Sequence, residues 1–279
     1  MPTIPNPYRQ GLDRNPANFV PLSPLGFLER AAAVYPTRTS VVHGNTRHTW
    51  AETYARCRRL ASALKKRGIA KGDTVAIMAP NILEYPVVVF GAVRAGAIVC
   101  CISGRVTADD LAYMLNKAGA EIVVAFADSL PVVAAARGAT RVREVVAIGA
   151  PDGTSTPFAA FMERGDGRPP PVAVAETDPV GMTFTGGTTG FPKAVTVTHR
   201  NRYASCVAAG VEFGLDETDI GIVAAPLFHA VGQFIWFQSL VMLGCTQVML
   251  PRWDVAGFMA LAERHRATAS LLVPTQLTD

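Results

Sequence analysis

From residue 73 onward, short apolar runs alternate with segments of helical periodicity, and this alternation constrains the fold more than any other feature. The runs fall at 73–78, 97–102, 121–126, 143–148, 180–184, 194–198, 221–225, 246–250 and 269–273. Each is too short for a helix and almost unbroken in apolar character, as strands buried on both faces must be. Between them, helical spacing predicts helices at 82–95, 107–117, 200–213, 231–243 and 255–266. Pro86 must then fall in a first turn, where a missing N–H costs nothing. Strands that alternate with helices form parallel sheet joined by right-handed crossovers. The fold class that follows is α/β, with layered, mostly parallel sheets flanked by helices.

The first seventy residues lead into this pattern. A helix opens near Ser23 and ends before Pro36, and a strand at 39–43 meets a Gly44-Asn45 turn with 47–49 as its return. Thr49 and Glu52 have the spacing at which each side chain bonds the other's backbone N–H, marking a second helix start. Lys65, Lys66 and Arg67 suit the negative end of that helix, and Gly68 stops it. Residues 151–178 break the rhythm with Pro151-Asp-Gly, Gly165-Asp-Gly-Arg and Pro169-Pro-Pro. They read as a linker, with a short helix at 157–163, between an αβ portion at about 1–150 and a second at about 179–279. The last segment, 269–274, reads as a strand entering a helix that does not form.

Composition narrows the function classes. Apolar residues make up 49% and charged residues 17%, which excludes a disordered chain. The net charge of +4 suits a small anionic ligand and does not single out nucleic acid. The five cysteines, Cys57, Cys100, Cys101, Cys206 and Cys245, show no C-x-x-C spacing, so neither a disulfide framework nor a metal site is read. A reducing, cytoplasmic compartment is expected. The most apolar stretch, 85–102, is broken by Pro86, Gly91, Arg94 and Gly96, and reads as buried helix plus strand with no transmembrane segment. The opening residues show no basic region followed by an apolar one, so no signal peptide is expected.

One segment carries chemistry. Residues 183–193 read Thr-Phe-Thr-Gly-Gly-Thr-Thr-Gly-Phe-Pro-Lys, directly after an apolar strand. Glycines bring backbone N–H groups close to a ligand, threonine hydroxyls add donors, and Lys193 adds a cation. The combination suits a polyphosphate, and a plain Gly-Thr hairpin is the alternative. A Walker A loop is excluded, because Lys193 lies three residues beyond Gly190 and precedes Ala194. The glycine spacing 186, 187, 190 also fails the dinucleotide pattern.

This segment, Thr185-Gly-Gly-Thr-Thr-Gly-Phe-Pro-Lys193, with Thr198-His199 and Asn201 downstream, resembles the signature loop of the AMP-forming adenylating enzymes. That family includes acyl- and aryl-CoA synthetases, luciferases and peptide-synthetase adenylation domains. Gly186 stands where the family commonly has Ser, and Ala194 where it has Gly. The likeness extends to His48-Thr-Trp-Ala-Glu52, to Gly91-Ala-Val-Arg-Ala-Gly-Ala97, to the segment from Arg105 to Leu115, to Asp219 through Pro226-Leu-Phe-His229, to Pro251-Arg-Trp-Asp254 and to Val273-Pro-Thr275. At 100–104 the family's Pro-x-Asn-Pro flavour is replaced by Cys-Cys-Ile-Ser-Gly.

The resemblance implies ATP-dependent activation of a fatty or aryl acid to an acyl-adenylate, with Mg²⁺, followed by transfer to coenzyme A. A carrier-protein thiol as acceptor, and a non-catalytic nucleotide-binding or assembly module, stay open. By resemblance, Thr185, Gly186, Gly187, Thr188, Thr189, Gly190 and Lys193 hold the β- and γ-phosphates. His229, Phe228 and Trp236 line the acid pocket, although on the residues alone a buried histidine with Phe228 as plain core is the preferred reading, and Trp236 reads equally well as core packing. His199 reads as a structural residue at a helix start. The adenine, ribose and catalytic-lysine segments of the family are expected beyond Asp279, so the chain corresponds to roughly the first half of such an enzyme, and no catalytic residue is assigned within it. An open sheet edge would then need the C-terminal half, or a second copy in a homo-oligomer, to cover it.

Overall fold

The computed structural model describes residues 6, 8, 10–15, 17–186 and 191–278. Two sheets organise them. One has the strand order β12-β10-β11-β1-β2, comprising Ala269–Ser270, Ile220–Val223, Thr246–Met249, Thr39–His43 and Thr46–Thr49. The other runs β7-β6-β5-β3-β4-β8-β9, comprising Thr156–Pro157, Glu144–Ile148, Ala120–Phe126, Thr74–Met78, Ile98–Cys101, Pro179–Thr185 and Lys193–Thr198. Neighbours are parallel except at β1–β2 and β8–β9, the two hairpins.

Alternation along the buried strands explains the layers. In β3, Val75 and Ile77 face one apolar cluster while Ala76 and Met78 face another. In β10 and β11, Val223 and Met249 join the first cluster, and Ile222 and Val248 join a third. The first cluster therefore lies between the two sheets. It is filled by α1 (Leu25–Val34), α2 (Trp50–Lys66), α3 (Glu84–Arg94) and α8 (Gln238–Leu243). The outer face of the seven-stranded sheet is covered by α4 (Ala108–Ala118) and α5 (Leu130–Arg137), and that of the five-stranded sheet by α9 (Val255–His265). The result is five layers, with both sheets covered as unbroken apolar strands require.

The helix starts follow the sequence signals. Thr49 and Glu52 form the capping box, and Thr107 accepts from the Asp110 N–H. Pro86 is the third residue of α3, inside the first turn. A second capping box joins Thr198 and Asn201 at the start of α7 (His199–Glu212). There His199 is buried, its Nδ1 2.8 Å from the Ser23 hydroxyl. Burial pushes its pKa down, against the nearby Asp178 carboxylate.

Four features depart from the sequence reading. Helix α5 was not expected: it has no side-chain cap at its start, although Pro131 lies in its first turn and Arg137 and Gly138 mark its end. The segment 231–243 is not one regular helix but a π-helical turn, Val231–Phe237, followed by α8. Gly232 packs so tightly there that a Cβ would lie 2.4 Å from the Pro226 carbonyl oxygen. The chain does enter a helix after β12: α10 is Pro274–Thr278, where the Val273 N–H donates to the Gln276 carboxamide and Val273 accepts from the Gln276 N–H. The sheets also cross the sequence boundary at 151–178. Strands β8 and β9 complete the sheet of the first portion, and β1 and β2 join the sheet of the second.

The 151–178 segment is docked rather than loose. It adds β7 and α6 (Phe158–Glu163), and Asp166 accepts from Ser62 at 2.7 Å and pairs with Lys66. Lys71 pairs with Asp178 at 2.7 Å. The carboxylate of Glu144, almost fully buried at the start of β6, takes Arg67 at 2.6 Å and Arg164 at 2.8 Å. Burial pushes the Glu144 carboxyl up, yet the two guanidinium groups and Thr156 hold it below its ordinary 4.5. A lowered folded pKa means a contribution that is present above the ordinary value and lost as pH falls through the folded one. Glu144→Gln should therefore cost about 1–2 kcal/mol near neutral pH, discounted for the half-exposed arginines. The difference between the proteins in urea denaturation should shrink as the pH drops below 4.

Candidate functional site

All the parallel strands of the larger sheet point the same way, so their carboxyl ends share one edge. In α/β sheets that edge is where ligands bind. The five-stranded sheet brings the ends of β10 and β11 against it. Between them lies a cleft of about 730 Å³. Its walls are the segments that leave the strands: Ala79 to Asn81 after β3, Ser103 to Arg105 after β4, Phe126 to Ser129 after β5, Ala224 to Phe228 after β10, and Pro251 to Trp253 after β11. Gln276 of α10 closes one side.

Asn81 fixes the two sheets to each other. Its side-chain amide donates to the Val223 and Ala225 carbonyls at 2.9 and 3.0 Å, and its side-chain oxygen accepts from the Leu227 N–H at 3.0 Å. Tyr85, fully buried, donates to the Leu227 carbonyl at 2.9 Å. Two side chains from the loop and helix that follow β3 thus hold the backbone of 223–227 that leaves β10. Across the mouth, Arg252 pairs with Asp128 at 2.7 Å, although both are exposed.

The clamp sets the Pro226-Leu-Phe-His229 segment. Leu227 is buried, Phe228 is half-buried and lines the cleft, and His229 is exposed with its ring 4.8 Å from that of Phe228. The His229 carbonyl then accepts from Gln233 in the π-helical turn, a form often found beside functional sites. Trp236 lies elsewhere. It is 2% exposed, donates its indole N–H to the Ile222 carbonyl at 2.8 Å, and packs edge-on with Phe213. It is core and does not line this cleft.

The Gly-Thr segment leaves the sheet at the same edge, because β8 runs parallel to β4. Thr185 pairs with Lys193 across the hairpin, and both are exposed with Gly186. Among the described residues, a Cβ added at Gly186 would meet nothing within 4 Å. Phe191 stacks on Tyr113 of α4, centroids 4.6 Å apart, and ties the returning strand to the helix that follows β4. Gly187, Thr188, Thr189 and Gly190 lie outside the described residues. Thr185, Gly186, Lys193 and Phe228 therefore stand at one edge with the cleft, His229 stands beside it, and Trp236 is apart.

The model of the AMP-binding enzyme family matches residues 28–279. The chain belongs to that family. Among its curated relatives, an acetate–CoA ligase of Humulus lupulus is 34% identical over 95% of this chain and 50% of its own length. A peroxisomal acetate/butyrate–CoA ligase of Arabidopsis thaliana is 32% identical over 95% of this chain and 50% of its own. A long-chain-fatty-acid–CoA ligase structure from Archaeoglobus fulgidus superposes with a TM-score of 0.85 at 24% identity, covering 93% of this chain and 53% of that one, a likeness of fold. The chain spans about half the length of the curated relatives it matches.

The sequence reading missed Asn81, Tyr85 and the Arg252–Asp128 pair. Asn81 had a signal: a lone amide between Pro80 and Ile82, immediately after an apolar strand. All five cysteines are free and buried. Burial pushes the Cys101 and Cys245 thiols to about 12, which leaves them protonated and unreactive near neutral pH. Among the described residues, no group of three His, Cys, Asp or Glu side chains could hold a metal ion. No helix among them is long and apolar enough to cross a membrane.

Asn81→Ala would strand two carbonyls and one N–H in a buried place. It should lower stability by roughly 2–3 kcal/mol in urea denaturation, and a loss below 0.5 kcal/mol would remove Asn81 from its clamping role.

Proposed function

We propose that this chain supplies the phosphate-binding edge and one wall of the acid pocket of an acid–thiol ligase. The supporting observation is the shared edge: β8 ends at Thr185, paired with Lys193, on the side of the sheet where the cleft lined by Phe228 opens. In this reading the whole protein joins a fatty or aryl carboxylic acid to AMP, releasing pyrophosphate, and passes the acyl group to coenzyme A. Membership of the family and the names of two relatives, both CoA ligases, support that class.

The chemistry asked of these residues is positioning and neutralisation. The substrate carboxylate attacks the α-phosphorus of ATP, and pyrophosphate leaves with the bonding pair. Negative charge grows on the β- and γ-phosphates, so preorganised donors there favour departure. Lys193 places a cation at that end, Thr185 a hydroxyl, and the loop residues Gly186, Gly187, Thr188, Thr189 and Gly190 their N–H and hydroxyl donors. Phe228 and His229 face the acid. The described residues offer no built metal cage, so Mg²⁺ enters this reading only as the partner of the ATP phosphates. The cytoplasm, as the reducing compartment that five free thiols suit, is part of the same proposal, as is a homo-oligomer or the remainder of the ligase covering the open edge beside β12.

Lys193→Ala removes one charge-assisted contact and should weaken ATP binding about 10- to 100-fold by calorimetry. Unchanged affinity would defeat the loop assignment. Gly186→Ser has room for its side chain and restores a hydroxyl donor, so ATP should bind about 2- to 10-fold tighter. We further expect the 279 residues by themselves to bind ATP without supporting acid-dependent pyrophosphate exchange.

A further inference from the structure

The opposite edge of the seven-stranded sheet carries a second concentration of positive charge. A polar pocket of about 390 Å³ opens there, lined by Arg67, Arg137, Arg143 and Arg164 with Glu144 and the threonines 154 and 156. Arg67 ends α2, Arg137 ends α5, Arg164 ends α6, and Arg143 leads into β6. The strands enter the sheet at this edge, whereas the nucleotide cleft lies where they leave it.

Each arginine is held but not used up. Arg67 gives its Nε–H to Glu144, and Arg164 gives one terminal N–H to the other oxygen. Arg143 gives its Nε–H to Glu121 at 2.9 Å, and Arg137 braces the Val142 and Arg143 carbonyls. A guanidinium has five N–H donors, so most of them remain for the pocket. Two carboxylates face this group, Glu144 from the floor and Glu121 behind Arg143. Asp152, nearby, is turned onto the Thr154 and Ser155 N–H groups and hydroxyls. Four guanidinium groups against Glu144 and Glu121 leave an excess of positive charge. Anchoring Glu144 needs only Arg67 and Arg164, and Arg137 and Arg143 exceed that need.

We infer that this rim is an anion site that takes a phosphoryl dianion, separate from the Thr185–Lys193 loop. Planar donor forks at several angles around a small concave space match tetrahedral phosphate oxygens, which accept two parallel N–H bonds from each fork. The mutual repulsion of the arginines falls when a dianion enters, and the guanidinium groups supply the donors, because the Thr154 and Thr156 hydroxyls already donate to Asp152 and Glu144.

The test is calorimetric titration of the 279-residue chain at low ionic strength with inorganic phosphate and, separately, with AMP. Arg143→Gln, Arg137→Gln and Lys193→Ala are compared, with thermal unfolding to confirm that each folds. Phosphate should bind saturably at one site, about tenfold weaker in Arg143→Gln and Arg137→Gln and unchanged in Lys193→Ala. If Arg137→Gln unfolds because its carbonyl brace is lost, Arg143→Gln decides alone. AMP binding with the same arginine dependence identifies a nucleotide-borne phosphate as ligand, and phosphate binding without it identifies the free ion. No saturable phosphate binding, binding lost in Lys193→Ala, or wild-type affinity in Arg143→Gln overturns the site.

Discussion

The carboxamide of Asn81 is the contact on which the cleft depends. It satisfies two carbonyls and one N–H of the 223–227 backbone, leaving the end of β10 locked to the end of β3. Two separately covered sheets have no intrinsic reason to align their strand ends. Apolar packing between them is non-directional and would tolerate many relative placements. Directional hydrogen bonds to buried backbone tolerate very few, because a shifted register would strand several polar groups at once. Tyr85 repeats the device one helical turn further on.

From that constraint the site follows in order. With β3 and β10 joined, the segments after β4, β5 and β11 fall around one space, and Phe228 turns into it. The hairpin β8–β9 is held to the same sheet through β4, so β8 ends and β9 begins at the same edge. Phe191 on Tyr113 fixes the returning side of that hairpin. The π-helical turn that follows His229 packs against the same segment, with Gly232 close to the Pro226 carbonyl. The end of β8 at Thr185 and the cleft-lining Phe228 are brought to one edge by strand direction rather than by proximity in sequence.

Much of this was legible before the structure. Unbroken apolar runs such as 121–126 and 143–148 declared buried parallel strands, and Thr49 and Thr107 declared helix starts through local geometry that each carries in a few residues. What could not be read was long-range pairing. Nothing near Thr39 says that β1 lies beside β11, some two hundred residues away, and nothing in 179–198 says that the hairpin completes the sheet of the first portion. Trp236 illustrates the limit for side chains. An aromatic on a helix serves core or pocket equally well until the helix is placed, and its bond to the Ile222 carbonyl settles the matter for core.

The central claim is that one edge, where the strands of both sheets end, receives the nucleotide. Hydrogen–deuterium exchange with and without ATP reads it directly. ATP should slow exchange in the loop at 185–193 together with the strand-end segments near Asn81, Gly104 and Leu227, leaving the far faces of α4 and α9 unchanged. Protection absent from the loop, or present there with the strand-end segments untouched, would contradict a shared site.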